Sequence, residues 1–147
     1  MQETLPVRSC LDHVSPQDLQ IAWKLILPGI LVVQKYSVAH WIPEDVYSAI
    51  RTGHSTLHIG DVGGDYAGFV VLTPSSAWDG KVLHMWCVYN ASKYDVLTIF
   101  ENDINRIARE FGAKRITFWS HRSGWERRIA KYGFVPNQVE FVKELKS

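Results

Sequence analysis

From His54 to Tyr89 the chain runs in apolar segments of strand-like period, and from Leu97 to Phe111 the apolar residues recur at every third or fourth position. The first pattern belongs to strands and the second to one face of a helix, so the middle of the chain must build a sheet and then lay a helix against it. His54–Val62 and Tyr66–Thr73 flank Gly63-Gly64-Asp65, a hairpin signal because glycine supplies the positive φ that tight β-turns require. A turn over Pro74–Gly80 leads to a third strand, Lys81–Tyr89. Leu97, Phe100, Ile104, Ile107 and Phe111 then mark a long helix, Val96–Phe111, which Gly112 stops. Arg115–Trp119 reads as a short apolar strand.

The flanking segments complete an α+β order. A strand is expected at Leu5–Cys10. Ser15-Pro16-Gln17-Asp18 has the pattern of a capping box, with Ser15 as cap and Pro16 at the first helical position. The helix behind it should turn Leu19, Ala22, Trp23 and Ile26 inward, and Pro28 should break or kink it. Ile30–Tyr36 suits a strand as well as a helix. Another helix should start at Pro43 and end before Gly53, burying Val46, Tyr47 and Ile50. Near the end, Ser123-Gly124-Trp125-Glu126 is a second capping box; its helix should bury Trp125 and Ile129 and close at Gly133. Val139–Val142 is the last expected strand. The sum is β–α–α–β–β–β–α–β–α–β, a mixed and mostly antiparallel sheet with a crossover helix, in one domain over residues 1–147.

Composition bounds the function. An apolar fraction of 46% and an aromatic fraction of 12% suit a packed core. The six tryptophans fit either that core or a binding cleft. A net charge of +1 gives no reason to expect nucleic acid or a membrane surface as partner. Cys10 and Cys87 lie far apart and form no metal-ligand motif, so a reducing cytoplasm is the expected compartment. Leu25–Val33 is too short to span a bilayer, and the first residues lack the pattern of a signal peptide.

The element order, together with the segment Gly112–Phe134 and its Gly133-Phe134 ending, resembles the GNAT superfamily of N-acetyltransferases. The resemblance implies a three-layer fold in which strands Lys81–Tyr89 and Arg115–Trp119 run parallel and splay apart at one end. It also implies acetyl-CoA between those strands, its pyrophosphate on N–H groups of the loop entering the long helix. That places cofactor contacts at Val88, Tyr89, Asn90, Ser92, Lys93, Tyr94 and Val96. Laid on the family pattern V-x-x-x-x-(Arg or Gln)-x-x-G-x-(Gly or Ala), the chain has Lys93 for the Arg or Gln, Val96 for the first glycine and Thr98 for the second small residue. Two β-branched side chains are therefore expected to project where the family keeps its backbone bare, and Asp95 would cap the helix beside the phosphates. Weak or absent acetyl-CoA binding is the consequence. The tyrosine that many members carry four residues before the Gly-Phe glycine is replaced by Ile129, and Tyr132 lies further along the helix, so it is not expected to reach the same atom.

His84 is the candidate catalytic base, since an imidazole titrates near neutrality. Strict alternation would place it with Trp86 and Val88 on one face and Leu83, Met85 and Cys87 on the other. Cys87 is then no partner for His84. His54 and His58 share a face but lack a third metal ligand. Lys114, Arg115, Arg122, Arg127, Arg128 and Lys131 give the last third a basic tint that suits a solvated face or an acidic partner. Two readings follow. One is acetyl-CoA-dependent transfer to an amine of unknown identity, with Lys93 steadying the pyrophosphate and His84 as base. The other is a non-catalytic binding or structural role toward a protein partner, similar to that of small GNAT-like proteins encoded by bacteriophages, some of them virion components.

Overall fold

The computed structural model describes residues 8–37, 40–119 and 129–146. One five-stranded sheet, in the order β1-β2-β3-β4-β5, carries helices on both faces. The strands are β1 Ser9–Val14, β2 Thr56–Val62, β3 Asp65–Ala77, β4 Gly80–Asn90 and β5 Arg115–Phe118; the helices are α1 Leu19–Lys35, α2 Pro43–Arg51, α3 Val96–Ile99 and α4 Glu101–Phe111. The first four strands pair antiparallel, and β5 pairs parallel to β4 over Val82–Met85. The α+β class and the parallel pair around the crossover stand as the sequence predicts.

Residues Phe69-Val70-Val71-Leu72 explain why the sheet is covered twice. Phe69 and Val71 pack with Leu19, Ile26, Ile30, Val46 and Ile50 of α1 and α2, while Val70 and Leu72 pack with Val96, Leu97, Phe100 and Ile104 of α3 and α4. All four are fully buried, and an uninterrupted apolar run is what a strand buried on both faces requires. Among the described residues no helix is long and apolar enough to cross a membrane.

Several expectations are corrected. The first described strand, Ser9–Val14, overlaps the expected Leu5–Cys10 at Ser9-Cys10 and runs four residues further; residues 1–7 fall outside the described part. Asp12 and His13 interrupt its apolar pattern, and pairing with β2 from Ser9↔Val62 to Val14↔Leu57 defines it. Ser15 and Asp18 form no capping box. Their side chains bond to each other at 3.0 Å, over a single turn of 3₁₀-helix that leads into α1. Pro28 does not end α1, which runs on to Lys35 and takes in Ile30–Lys35 as helix. The missing hydrogen bond is outweighed by burial of Ile26 and Ile30 on the sheet.

The turn expected at Pro74–Gly80 shrinks to Trp78-Asp79, with Ala77 opposite Gly80. β2 ends opposite Leu72, so Pro74 lies where β3 has an open edge, the place a sheet tolerates proline. The helix Val96–Phe111 is divided at Phe100, whose φ of −108° leaves the helical range. Val139–Val142 forms no strand; Val139, Phe141 and Val142 are exposed, with no ladder partner among the described residues. The capping box at Ser123 and Trp125 lie outside the described residues.

Gly29 sets how closely α1 approaches the sheet. A Cβ there would stand 2.5 Å from the Tyr89 ring and 2.7 Å from that of Phe69, so the helix backbone rests directly on two aromatic faces. Gly29→Ala is expected to lower stability by about 1–3 kcal/mol through overpacking. Urea denaturation gives the measurement, and a variant as stable as the wild type would mean that α1 sits further from β4.

Candidate functional site

Strand β4 carries the residues of interest, and a bulge decides which way they point. Val71 pairs with Cys87 and Leu72 with Met85, which leaves Trp86 as an extra residue without a partner. Beyond it the alternation is inverted. Leu83, Met85 and Val88 share the α3–α4 face, whereas Trp86, Cys87 and Tyr89 pack on the α1–α2 side. Val88 is therefore not on the face of His84, and Cys87 is, contrary to both expectations from strict alternation. The thiol is still no nucleophile, because burial pushes its pKa up to about 12.

On the α1–α2 side, Ser37, Trp41, Thr73, His84, Trp86 and Trp119 enclose a cleft of about 360 Å³. Trp41 and Trp86 meet at 77° with ring centroids 5.8 Å apart, and Trp119 lies over His84 at 4.7 Å. The cleft is built from distant parts of the chain. Trp41 is held by its indole N–H donating to the Ser37 hydroxyl at 3.2 Å and by Gln34 donating to its carbonyl at 3.3 Å. His84 Nδ1 bonds the Thr117 hydroxyl of β5 at 2.8 Å. Half-burial lowers its pKa, which favours the neutral ring. The tautomer decides its chemistry. With Thr117 accepting from Nδ1–H, Nε2 keeps a lone pair and can act as base; with Thr117 donating, Nε2 carries the proton.

The loop after β4 has a different character. Pairing of β4 with β5 ends at Met85↔Phe118, and Trp86–Asn90 continues beyond it. The Asn90 side-chain carbonyl accepts the Val96 N–H at 2.9 Å, and an Asp95 carboxylate oxygen accepts the Leu97 N–H at 3.1 Å. Ser92 Oγ accepts the Tyr94 N–H at 3.2 Å. The Lys93 ammonium lies 5.4 Å from the centroid of the Tyr94 ring. Tyr89 packs against Phe69 at 5.7 Å. Val96 does not project into the loop as expected. Its side chain is fully buried in the core under α3.

Tyr132 closes the arrangement from the other side. Its hydroxyl bonds Thr98 Oγ1 and stands 3.5 Å from Asp95 Oδ2, so it reaches the start of α3. Gly133, at φ +87°, ends that segment and lets Phe134 pack edge-on against Phe118 at 5.1 Å. A second groove of about 370 Å³, lined by Met85, Leu97, Ile104, Ala108 and Tyr132 among others, lies on the face opposite His84. His54 is exposed in the turn before β2 and His58 is buried beside α4. They do not converge, and among the described residues no group of three metal-ligating side chains occurs. Of the basic residues, Arg115 forms a two-pronged pair with Asp79 at 2.8 and 3.0 Å and Lys131 lies against the Tyr132 ring; Arg122, Arg127 and Arg128 are outside the described residues.

The sequence pointed to His84 and to the loop, and left open whether the tryptophans line a cleft or fill the core. Trp41, Trp86 and Trp119 are spread over 79 positions, and only the fold brings them together. Asn90 was visible only as a cofactor contact, although an asparagine shortly before a helix start is a natural acceptor for its N–H groups.

No protein-family model and no curated sequence matches the chain. Solved structures do. A probable acetyltransferase superposes with a TM-score of 0.68 at 15% identity, covering 94% of this chain and 99% of its own. The ribosomal-protein-alanine N-acetyltransferase of Brucella melitensis biovar Abortus 2308 gives 0.68 at 10% identity, with 94% and 100% coverage. A predicted acetyltransferase of Clostridium acetobutylicum, solved with acetyl-CoA, gives 0.63 at 10% identity, with 94% and 96% coverage. The fold is that of the GNAT acetyltransferases.

Proposed function

We propose that this chain is a GNAT-fold protein whose pyrophosphate cradle is occupied by its own side chains, and that it works by binding a ligand in the tryptophan cleft rather than by acetyl transfer. The observation that carries the reading is the pair of bonds from Asn90 and Asp95 to the Val96 and Leu97 N–H groups. Those donors are where an anion would dock at a helix entrance. Here an amide and a carboxylate already take them, and the carboxylate would repel a phosphate besides. The loop does not fit acetyl-CoA in this arrangement. The obstacle differs from the one the sequence suggested, since the Val96 side chain points into the core.

The competing reading, acetylation of an amine with His84 as base, draws support from the fold and from the placement of His84 in the cleft with Thr117 behind it. Calorimetry with acetyl-CoA separates the two. The wild type is expected to bind in the millimolar range or not at all. Asn90→Ala with Asp95→Ala frees two donors and removes a charge; charge-assisted contacts are typically worth about 1.5–3 kcal/mol, so affinity should rise by roughly tenfold or more. Micromolar binding by the wild type, with turnover that His84→Ala abolishes, would overturn the proposal in favour of the enzyme.

A further inference from the structure

The lining of the cleft narrows what it can hold. Among the described residues it is lined by three indoles, one imidazole and two hydroxyls, with no carboxylate, lysine or arginine. Both hydroxyls are engaged: Thr73 Oγ1 with Ser55 at 2.8 Å, and Ser37 Oγ as acceptor of the Trp41 N–H. Among the described residues an anion finds no cation there. A primary ammonium ion needs acceptors for three N–H groups, and the imidazole and two engaged hydroxyls would replace only part of its hydration. What the walls do offer is the electron-rich face of tryptophan, the best of the aromatic side chains for holding a cation. Trp41 and Trp86 form two adjacent walls at nearly a right angle, and Trp119 supplies a third aromatic surface over His84.

We propose, on the reading above that the cleft is the ligand site, that it takes a quaternary methylammonium group, whose charge is spread over methyls and which has no N–H to satisfy. Such a group sheds its water more readily than a primary ammonium and fills an aromatic corner by shape. It also carries no proton to remove and no lone pair to acylate, so it suits a site that binds without transferring an acyl group. Trp41 is nearly buried while Trp119 is 71% exposed, so one wall is fixed in the core and another is open to an arriving ligand.

The test is calorimetry of the full chain with tetramethylammonium and choline, beside 3,3-dimethylbutanol as the neutral twin of choline and ethanolamine as its primary-amine twin. Choline should bind at least tenfold more tightly than either twin. Trp119→Leu, at an exposed position, should weaken choline by several-fold or more, and Trp86→Leu by about tenfold, with circular dichroism reporting whether each variant is folded. Equal binding of choline and its neutral twin would reduce the cleft to an apolar pocket and sink the cation proposal, leaving the binding-module reading in place. Absence of choline binding at 50 mM would sink it too. Only micromolar acetyl-CoA affinity with turnover, measured separately, would remove the underlying reading.

Discussion

Phe100→Ala will destabilise the fold by about 3–5 kcal/mol, the range for removing a fully enclosed phenyl ring. Phe100 is completely buried in the cluster that joins α3 and α4 to the sheet. Its ring lies where a side chain of β2 would otherwise stand: a Cβ built on Gly60 would be 2.5 Å from Phe100 Cε2. It also sits at the joint between the two helices, so its removal opens a cavity and frees the hinge together. Gly60→Ala on its own should destabilise by overpacking. In the Phe100→Ala background the same methyl should be accepted or even help, because the space is then vacant. Urea denaturation of the four proteins gives the coupling energy. A loss under about 1 kcal/mol for Phe100→Ala, or simple additivity of the two changes, would show that ring and glycine do not share one space.

That pair illustrates what the sequence made legible. Phe100 belongs to the stripe Leu97, Phe100, Ile104, Ile107, and the periodicity identified it as core without knowing what it touched. Leu97, Phe100 and Ile104 are buried as the stripe requires, while Phe111 stays half-exposed under the Lys81 ammonium. The break at Phe100 was hidden, because a non-helical φ at one residue does not disturb a three-to-four repeat. The hairpin at Gly63-Gly64 was legible because its chemistry is local: both glycines have positive φ, and Asp61 accepts the Gly64 N–H at 2.8 Å. The turn at Trp78-Asp79 was not, since Pro74 and two serines mimic loop composition, and only pairing with β4 carries the strand to Ala77.

The candidate site was legible in the same partial way. His84 could be placed on a face but not in a cleft, for the face depends on the bulge at Trp86, and nothing local in the sequence announces one extra residue in a strand. The loop residues were picked out by resemblance, and the structure shows the contacts they make within the chain. Val96 anchors α3 in the core, Asn90 and Asp95 satisfy the helix entrance, and Tyr132 arrives from a segment more than thirty residues away to contact Asp95 and Thr98. These are tertiary relations. They tie the order of α3 to the packing of the last segment, so changes at Tyr132 should be read as changes to the loop as well.

A marked sensitivity to acid is expected from His58. Its ring is buried between β2 and the α3–α4 layer, Nε2 bonds the Thr56 hydroxyl at 2.9 Å, and buried Nδ1 has no hydrogen-bond partner among the described residues. Burial, then the neighbouring His13, then Arg106 lower its pKa to about 4. The His13 ring is 5.2 Å away as its cross-strand partner, and Arg106 is held by Asp103 and Glu110. A histidine whose folded pKa is depressed favours the neutral form. Its contribution is fully present above the unfolded pKa of about 6.5 and is lost as pH falls from there toward about 4. The shift corresponds to roughly 3–4 kcal/mol at about 1.4 kcal/mol per unit, a sizeable part of the stability of a domain this size. Denaturation midpoints measured from pH 8 to pH 4 should fall over that window, and His58→Leu should flatten most of the fall while leaving the protein folded at pH 7. An unchanged slope in the variant would place the acid sensitivity elsewhere, with exposed His13 the first residue to substitute next.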